Sequence, residues 1–458
     1  MARHACAPNI RGFQPTWKKY PARPEKLPIT YCNLVLFGYI RLQQINNIVI
    51  QKHKNLYFRP AYAAFIGTTD NNAAGHLNTC KSFMSVFKTP KEHVRMPRMI
   101  AAVATQAKSP LELRELTIAE PEGNEILIRT VATGICHTDL LLRDGIFGPK
   151  HPVIPGHEGV GIIEAVGSDV KSLQVGDHVA LSQSSCGYCS DCRRAHPMNC
   201  RNYVQYNLTG ARPNGKRAIL DADIASNFVG QSSFASYILA TENNAVKLPK
   251  DFDLKIAAPL GCGMATGAGT VMNAMQPPVG STIAIFGCGA VGLAAIMAAK
   301  IRRCSVIVAV DLHDSRLQMA KDLGATHVIN GRATDIVEQI QKITDGGSDF
   351  SIDAVGLPNV IRNAVESTRP GGHCALLGLD SLGKDIPILL DWIAFNRKLQ
   401  GVILGDQIPQ VFIPQLVQLQ QEGMFPFERF ITHYPFEKIN EAIADAESGK
   451  VIKPVLLF

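Results

Sequence analysis

The chain of 458 residues contains no run of eighteen apolar residues, which excludes a membrane-spanning helix of ordinary length. Its most apolar early stretch, residues 31–40, is too short to span a bilayer and lies too far in for a secretory signal. Acidic residues are almost missing from the first 98 positions, which hold 15 Lys and Arg against 3 Asp and Glu. Residues 99–458 hold 31 against 36, so the net charge of +7 belongs to one arm and the main body is mildly acidic. A mildly acidic body is not expected to bind nucleic acid. The arm has no sustained period of 3.6 or 2 and no repeat, and it fits a mitochondrial transit peptide only loosely. Residues 1–98 are therefore expected to be a basic extension, disordered or outside the core, with Met96 and Met99 as candidate starts of the working chain.

What is present is a large apolar complement: 46% hydrophobic against 19% charged residues, enough for two or three packed domains. From Met99 the pattern reads as two strands joined by a polar loop, the second beginning at Glu125. Residues 281–286 form a β-rich run that ends in Gly287-Cys-Gly289-Ala-Val-Gly292 and leads into a strongly helical segment. A buried-strand pattern follows and closes on Asp311, 19 residues after Gly292. Helix-like runs at 315–323, 336–343 and 358–367 then alternate with strand-like runs at 327–329, 350–355 and 374–377. This alternation predicts an α/β fold with a doubly wound parallel sheet of the Rossmann type. In that setting Gly287 allows the tight turn, Gly289 lets the backbone approach a pyrophosphate, and Gly292 lets helix and strand pack closely. The helix N-terminus attracts the phosphates, and Asp311 accepts from the ribose hydroxyls and repels a 2′-phosphate, which favours NAD over NADP.

The 12 cysteines are too few for a disulfide scaffold in a chain of this length. Four of them form Cys186-x2-Cys189-x2-Cys192-x7-Cys200, a spacing suited to a closed, structural tetrahedral zinc site. A closed site leaves no position for substrate. Disulfides are the competing reading, disfavoured without a secretory context. Three further stretches are ambiguous singly: Gly134-Ile-Cys136-His137-Thr138-Asp139, Gly156-His157-Glu158-Gly159 and Gly261-Cys262-Gly-Met-Ala-Thr266. A lone cysteine is usually a small buried residue.

Taken together and in order, these motifs make residues 99–458 resemble the zinc-dependent medium-chain alcohol dehydrogenases. The resemblance implies a catalytic Zn²⁺ held by Cys136, His157 and Cys262 with an open fourth position, and a second zinc on the four clustered cysteines. It implies an ion that lowers the pKa of the substrate alcohol, which then releases hydride to the nicotinamide of NAD. It places Asp139 and Glu158 just behind the ligands and gives Thr138 the hydroxyl that takes the alcohol proton. His137, Thr266, Arg316 and Lys453 would touch the cofactor. The histidine that ends the proton relay in well-known members is Leu141 here, so the proton would leave through water or His137.

The resemblance also implies a β-rich, chaperonin-10-like (GroES-like) catalytic domain at 99–263, a NAD-binding Rossmann domain at 264–403, and a segment at 404–458 that completes the catalytic domain. A homodimer or homotetramer, a cytoplasmic location and no membrane partner are expected. Within the family, residues 228–237, Leu141 and the closing Val451-Ile-Lys-Pro-Val look most like the aryl-alcohol (benzyl-alcohol) branch. Ser182, where ethanol-preferring relatives often carry a bulky aromatic, would widen the pocket, and Phe147 could stack on an aromatic substrate. The alternatives are a glutathione-adduct (formaldehyde) dehydrogenase, a long-chain or terpenoid alcohol dehydrogenase, and, in another class, a zinc-stabilised nucleic-acid or partner-binding protein. The last is disfavoured because the cysteine cluster lacks interleaved basic and aromatic residues.

Overall fold

A computed structural model describes residues 98–458 apart from Ser381. The reading of residues 1–98 as an extension falls outside these residues except at Arg98, which opens the first strand.

That strand, β1 (Arg98–Val103), pairs antiparallel with β2 (Glu112–Thr117). The stretch read as a polar loop thus contains a strand. Its sequence Glu-Leu-Arg-Glu-Leu-Thr is exposed over its first four residues, so it carries little of the apolar alternation that marks strands. Next come β3 (Glu125–Gly134), β4 (Gly159–Val166), β5 (His178–Leu181), β6 (Tyr237–Thr241) and β7 (Ala245–Lys247). The last two strands of the chain, β14 (Ile431–Pro435) and β15 (Lys453–Leu457), join them in a seven-stranded sheet ordered β14-β15-β3-β4-β5-β7, with β6 also on β3. Val455 lies opposite Gly134, which brings Lys453 to the end of β3, where the chain turns toward Cys136.

The second sheet holds β8 (Thr282–Phe286), β9 (Val306–Asp311), β10 (His327–Asn330), β11 (Ser348–Asp353), β12 (Thr368–Leu376) and β13 (Lys398–Gly401). It is parallel throughout and ordered β10-β9-β8-β11-β12-β13. Its central strands are apolar on both faces, as a sheet covered by helices requires. Ile283, Ile285, Ile307 and Ala309 pack on one side with the helix Ala290–Ile301. Ala284, Phe286, Val308 and Val310 pack on the other with the helices Ile336–Ile343 and Pro358–Glu366. The sequence did not mark β13, whose four residues are all exposed at the sheet edge.

The helices used below are α1 (His137–Arg143), α2 (Gly263–Gly269) and α3 (Ala290–Ile301). Between β8 and α3 the backbone turns at Gly287, at φ 94°. A Cβ on Gly292 would collide with the Gly287 carbonyl, so the helix start can sit against the strand end only with glycine there. The order reverses between β8 and β11, and in such sheets the crevice at the strands' carboxyl ends is where ligands bind.

Candidate active site

The end of β3 delivers Cys136, which caps α1. Its backbone N–H donates to Asp139 Oδ2 at 3.0 Å, one turn into the helix. The other oxygen of this buried carboxylate accepts from Gly156 N at 3.0 Å and lies 2.6 Å from His157 Nδ1. Asp139 therefore ties the first cysteine to the histidine. It also turns the histidine so that Nε2 stands 3.2 Å from Cys262 Sγ. Cys262 enters from the turn Ala258–Gly261, which is held by Ser182 Oγ donating to Gly261 O at 2.8 Å. One ligand atom from each of Cys136, His157, Glu158 and Cys262 falls within 4.8 Å of the others.

Glu158 is fully buried, and Lys453 Nζ lies 2.6 Å from its Oε2 while donating to Ile135 O at 2.9 Å. Burial pushes the Glu158 carboxyl up, against the pull of the lysine. The Cys136 thiol is held well below its ordinary range by a hydrogen bond from Cys262, aided by the charges of His157 and Lys453. Cys262 is driven up by the same bond and by burial. Burial disfavours the His157 imidazolium, but Asp139 and the Cys136 thiolate outweigh it and raise that group well above normal. Two sulfurs and an imidazole whose far nitrogen is fixed by a carboxylate are a donor set that suits zinc, with Glu158 close enough to enter the coordination.

The four remaining cluster cysteines also bring their sulfurs within 4.8 Å of one another. Backbone N–H groups point at the sulfurs: Cys186 N to Cys200 Sγ at 3.4 Å, Cys189 N to Cys186 Sγ at 3.3 Å and Cys192 N to Cys189 Sγ at 3.5 Å. Such bonds lower the Cys189 thiol to about 6. The nine described cysteines are all free.

A cleft of about 510 Å³ runs from the first cluster to the glycine loop. Cys136, His137, Leu141, Ile146 and Lys453 line one side, and Gly289, Ala290, Gly292, His313 and Arg316 line the other. Asp311 ends β9 buried, accepting from Cys288 N at 2.7 Å and His313 N at 2.9 Å, so it also braces the glycine loop. Thr138 Oγ1 stands 3.9 Å from Cys136 Sγ. Thr266 sits one turn into α2, its N–H donating to Cys262 O at 2.8 Å, and is not among the residues on the cleft wall. Sequence reasoning missed His313, whose place two residues beyond Asp311 was an available signal. It also missed Asp380, whose Oδ1 is 3.2 Å from His137 Nε2; nothing local marked that pairing.

Ser182 departs from its expected role. It is buried, its hydroxyl is committed to Gly261 O, and Gln407 Nε2 approaches it to 3.2 Å, so it adds no open space to the cleft. Phe147 packs edge-on against Phe228 with ring centres 6.2 Å apart, and Phe228 packs edge-on against the His157 ring at 5.9 Å. This aromatic pair thus leans on the histidine itself, and neither ring is among the residues lining the cleft.

The parallel sheet with its glycine turn, facing a Cys-His-Cys cluster across a cleft, defines a metal-assisted dehydrogenase that binds a dinucleotide. Residues 122–250 match the alcohol dehydrogenase GroES-like domain, and residues 290–421 match the zinc-binding dehydrogenase domain. Geraniol dehydrogenase of Castellaniella defragrans is 42% identical over 363 residues, covering 78% of this chain and 97% of that protein. The S-(hydroxymethyl)glutathione dehydrogenase of Saccharomyces cerevisiae is 34% identical over 371 residues, 78% of this chain and 96% of its own. The crystal structure of benzyl alcohol dehydrogenase from Acinetobacter calcoaceticus superimposes with a TM-score of 0.77 at 42% identity, covering 79% of this chain and 99% of that one. The chain belongs to the zinc-dependent alcohol dehydrogenases, with a GroES-like domain and a Rossmann sheet.

Proposed function

We propose that this alcohol dehydrogenase interconverts a bulky primary alcohol, aromatic or terpenoid, and its aldehyde, using NAD and two zinc ions per chain. The observation that carries the reading is the meeting of Cys136, His157 and Cys262 in one cluster, whose Cys136 lines a cleft with the glycine loop on its far wall. Leu140, Leu141 and Ile146 make the near wall apolar, which suits a large hydrocarbon substrate. Two relatives over 40% identical carry the names geraniol dehydrogenase and benzyl alcohol dehydrogenase.

Cys136, His157 and Cys262 would hold the catalytic ion, and Cys186, Cys189, Cys192 and Cys200 the structural one. Zinc at the first site would supply a Lewis acid for the alcohol oxygen, and NAD in the cleft would supply the hydride acceptor. Asp139 keeps a proton on His157 Nδ1, which leaves Nε2 free to ligate. Lys453 offsets the charge of Glu158. Thr138 takes the alcohol proton at its hydroxyl, and since Leu141 cannot carry it on, the proton leaves through water or His137. His137, Arg316 and Lys453 would hold the cofactor with the loop of Gly287, Gly289 and Gly292, while Thr266, off the cleft wall, would not reach it directly, and Asp311 would select NAD by opposing a 2′-phosphate.

We assign residues 99–263 and 404–458 to the catalytic domain and 264–403 to the cofactor domain. The exposed edge strand β13, with Leu390 and Phe395 exposed just before it, supports a homo-oligomer. Among the described residues no helix is long and apolar enough to cross a membrane. Thiolate clusters call for a reducing compartment, which favours the cytoplasm.

The test is NADH formation in protein of measured zinc content, with benzyl alcohol, geraniol, ethanol and S-(hydroxymethyl)glutathione at matched concentrations. Benzyl alcohol or geraniol should be turned over well above the other two. Preference for ethanol or for the glutathione adduct would overturn the substrate reading, and silence with all four would overturn the substrate class.

A further inference from the structure

Between Asn227 and Ser232 the backbone adopts a conformation that side chains resist. Asn227, Val229, Gly230 and Ser232 stand at φ 61°, 51°, 72° and 56°. A β-branched residue in the left-handed region is a genuine outlier, and such strain persists only where the surroundings over-determine it. Here they do. Asn227 Nδ2 donates to Leu239 O at 3.0 Å, Asn244 Nδ2 to Gly230 O at 3.1 Å, Ser232 Oγ to Ile154 O at 2.6 Å and Ser233 N to Gly156 O at 2.8 Å.

What the loop delivers is Gln231, 2% exposed. Its Oε1 accepts from Gly159 N at 2.9 Å and its Nε2 donates to His157 O at 2.8 Å. One side-chain amide thus grips the peptide groups on both sides of Glu158, as a neighbouring strand would. Asp139 fixes the His157 ring from the other direction, through Nδ1. An aliphatic residue at 231 would leave a buried carbonyl and a buried N–H unpaired next to the metal ligand. We propose that Gln231 is a positioning residue for the catalytic metal, fixing through the main chain where His157 Nε2 and the Glu158 carboxylate stand relative to Cys136 and Cys262. This rests on the reading of those residues as a zinc site.

The experiment compares wild type, Gln231→Met, which removes both bonds, and Gln231→Glu, which keeps an acceptor for Gly159 N and loses the donor to His157 O. Zinc affinity at each site is measured by chelator competition, and the visible spectrum is recorded after cobalt replaces zinc. Gln231→Met should weaken the Cys-His-Cys site by roughly 10–100-fold and shift its cobalt bands, leave the four-cysteine site unchanged, and exceed the effect of Gln231→Glu. If Gln231→Met fails to fold, Gln231→Glu alone should still weaken the first site selectively. Unchanged affinity and spectrum, or equal loss from both sites with a lowered melting temperature, would overturn the proposal. A wild-type protein that binds zinc only on the four cysteines would overturn the metal reading itself.

Discussion

Replacing Asp139 by Asn is the most direct probe of how the site is organised. The carboxylate accepts from three donors that lie in two chain segments: Cys136 N, Gly156 N and His157 Nδ1. An asparagine has one acceptor oxygen. If that oxygen takes the place of Oδ1, it keeps Gly156 N and His157 Nδ1 but turns its NH₂ group toward the N–H of Cys136. If flipped, it keeps Cys136 N and opposes the other two. At least one donor is left buried and unpaired, which costs about 1–3 kcal/mol, and the surviving bonds lose charge assistance worth about 1 kcal/mol more. The sum, about 2–4 kcal/mol, divides between fold stability and metal affinity. Chelator competition should show a drop in zinc affinity of roughly 10–100-fold, confined to the Cys-His-Cys site, with a fall in melting temperature measured alongside. Retention of wild-type affinity and melting temperature in Asp139→Asn would show that the carboxylate does not hold the cluster together, and the account of the site would fail.

Thr138→Ala should cut turnover at least tenfold with zinc content intact, because the hydroxyl beside Cys136 is lost while no ligand is touched; kcat with a zinc assay checks it. Cys200→Ser should lower zinc by one ion per chain and weaken the loop that Cys200 anchors through Cys186 N, seen by metal analysis and proteolysis of residues 186–200. Asp311→Asn removes the charge that opposes a 2′-phosphate, so the ratio of kcat/KM for NADP over NAD should rise at least tenfold, about 1.4 kcal/mol. Arg212→Met leaves the carboxylate of Glu125 buried without its partner and should cost about 3–5 kcal/mol by denaturant titration, most of it recovered when Glu125 is also made apolar.

The four-cysteine cluster was legible because its spacing is local, whereas Cys136, His157 and Cys262, spread over 126 residues, were picked out only through the family resemblance. The parallel sheet was legible because both faces of β8 and β9 are covered, which forces continuous apolar runs. Strands that escape this rule escaped the reading: β2 is exposed over four of its six residues, and β13 is exposed at every position. Ser182 was misjudged because the side chain that closes over it, Gln407, lies 225 residues away. Gln231 stood in a stretch that carried the family likeness, but its partners, the main chain at His157 and Gly159, appear only when strands separated in sequence are brought together. Polar side chains that serve backbone rather than substrate leave no mark of spacing.

The two clusters also differ in how much chain must be folded before each is complete. The four-cysteine loop closes over a separation of 14 residues, a small entropic demand that any early fragment containing 186–200 can meet. The other cluster joins His157 to Cys262 across 105 residues, and Lys453 reaches Ile135 across 318. Everything that forms the nucleotide sheet lies inside that last loop. The order of assembly is therefore written into the topology: the thiol loop can form while the chain is still incomplete, the Cys136, His157 and Cys262 donors need the longer closure, and Lys453 joins them only after the nucleotide sheet has folded and β15 has closed on β3. During refolding, zinc should be taken up in two kinetic phases, with the ability to turn over substrate appearing only in the slower one.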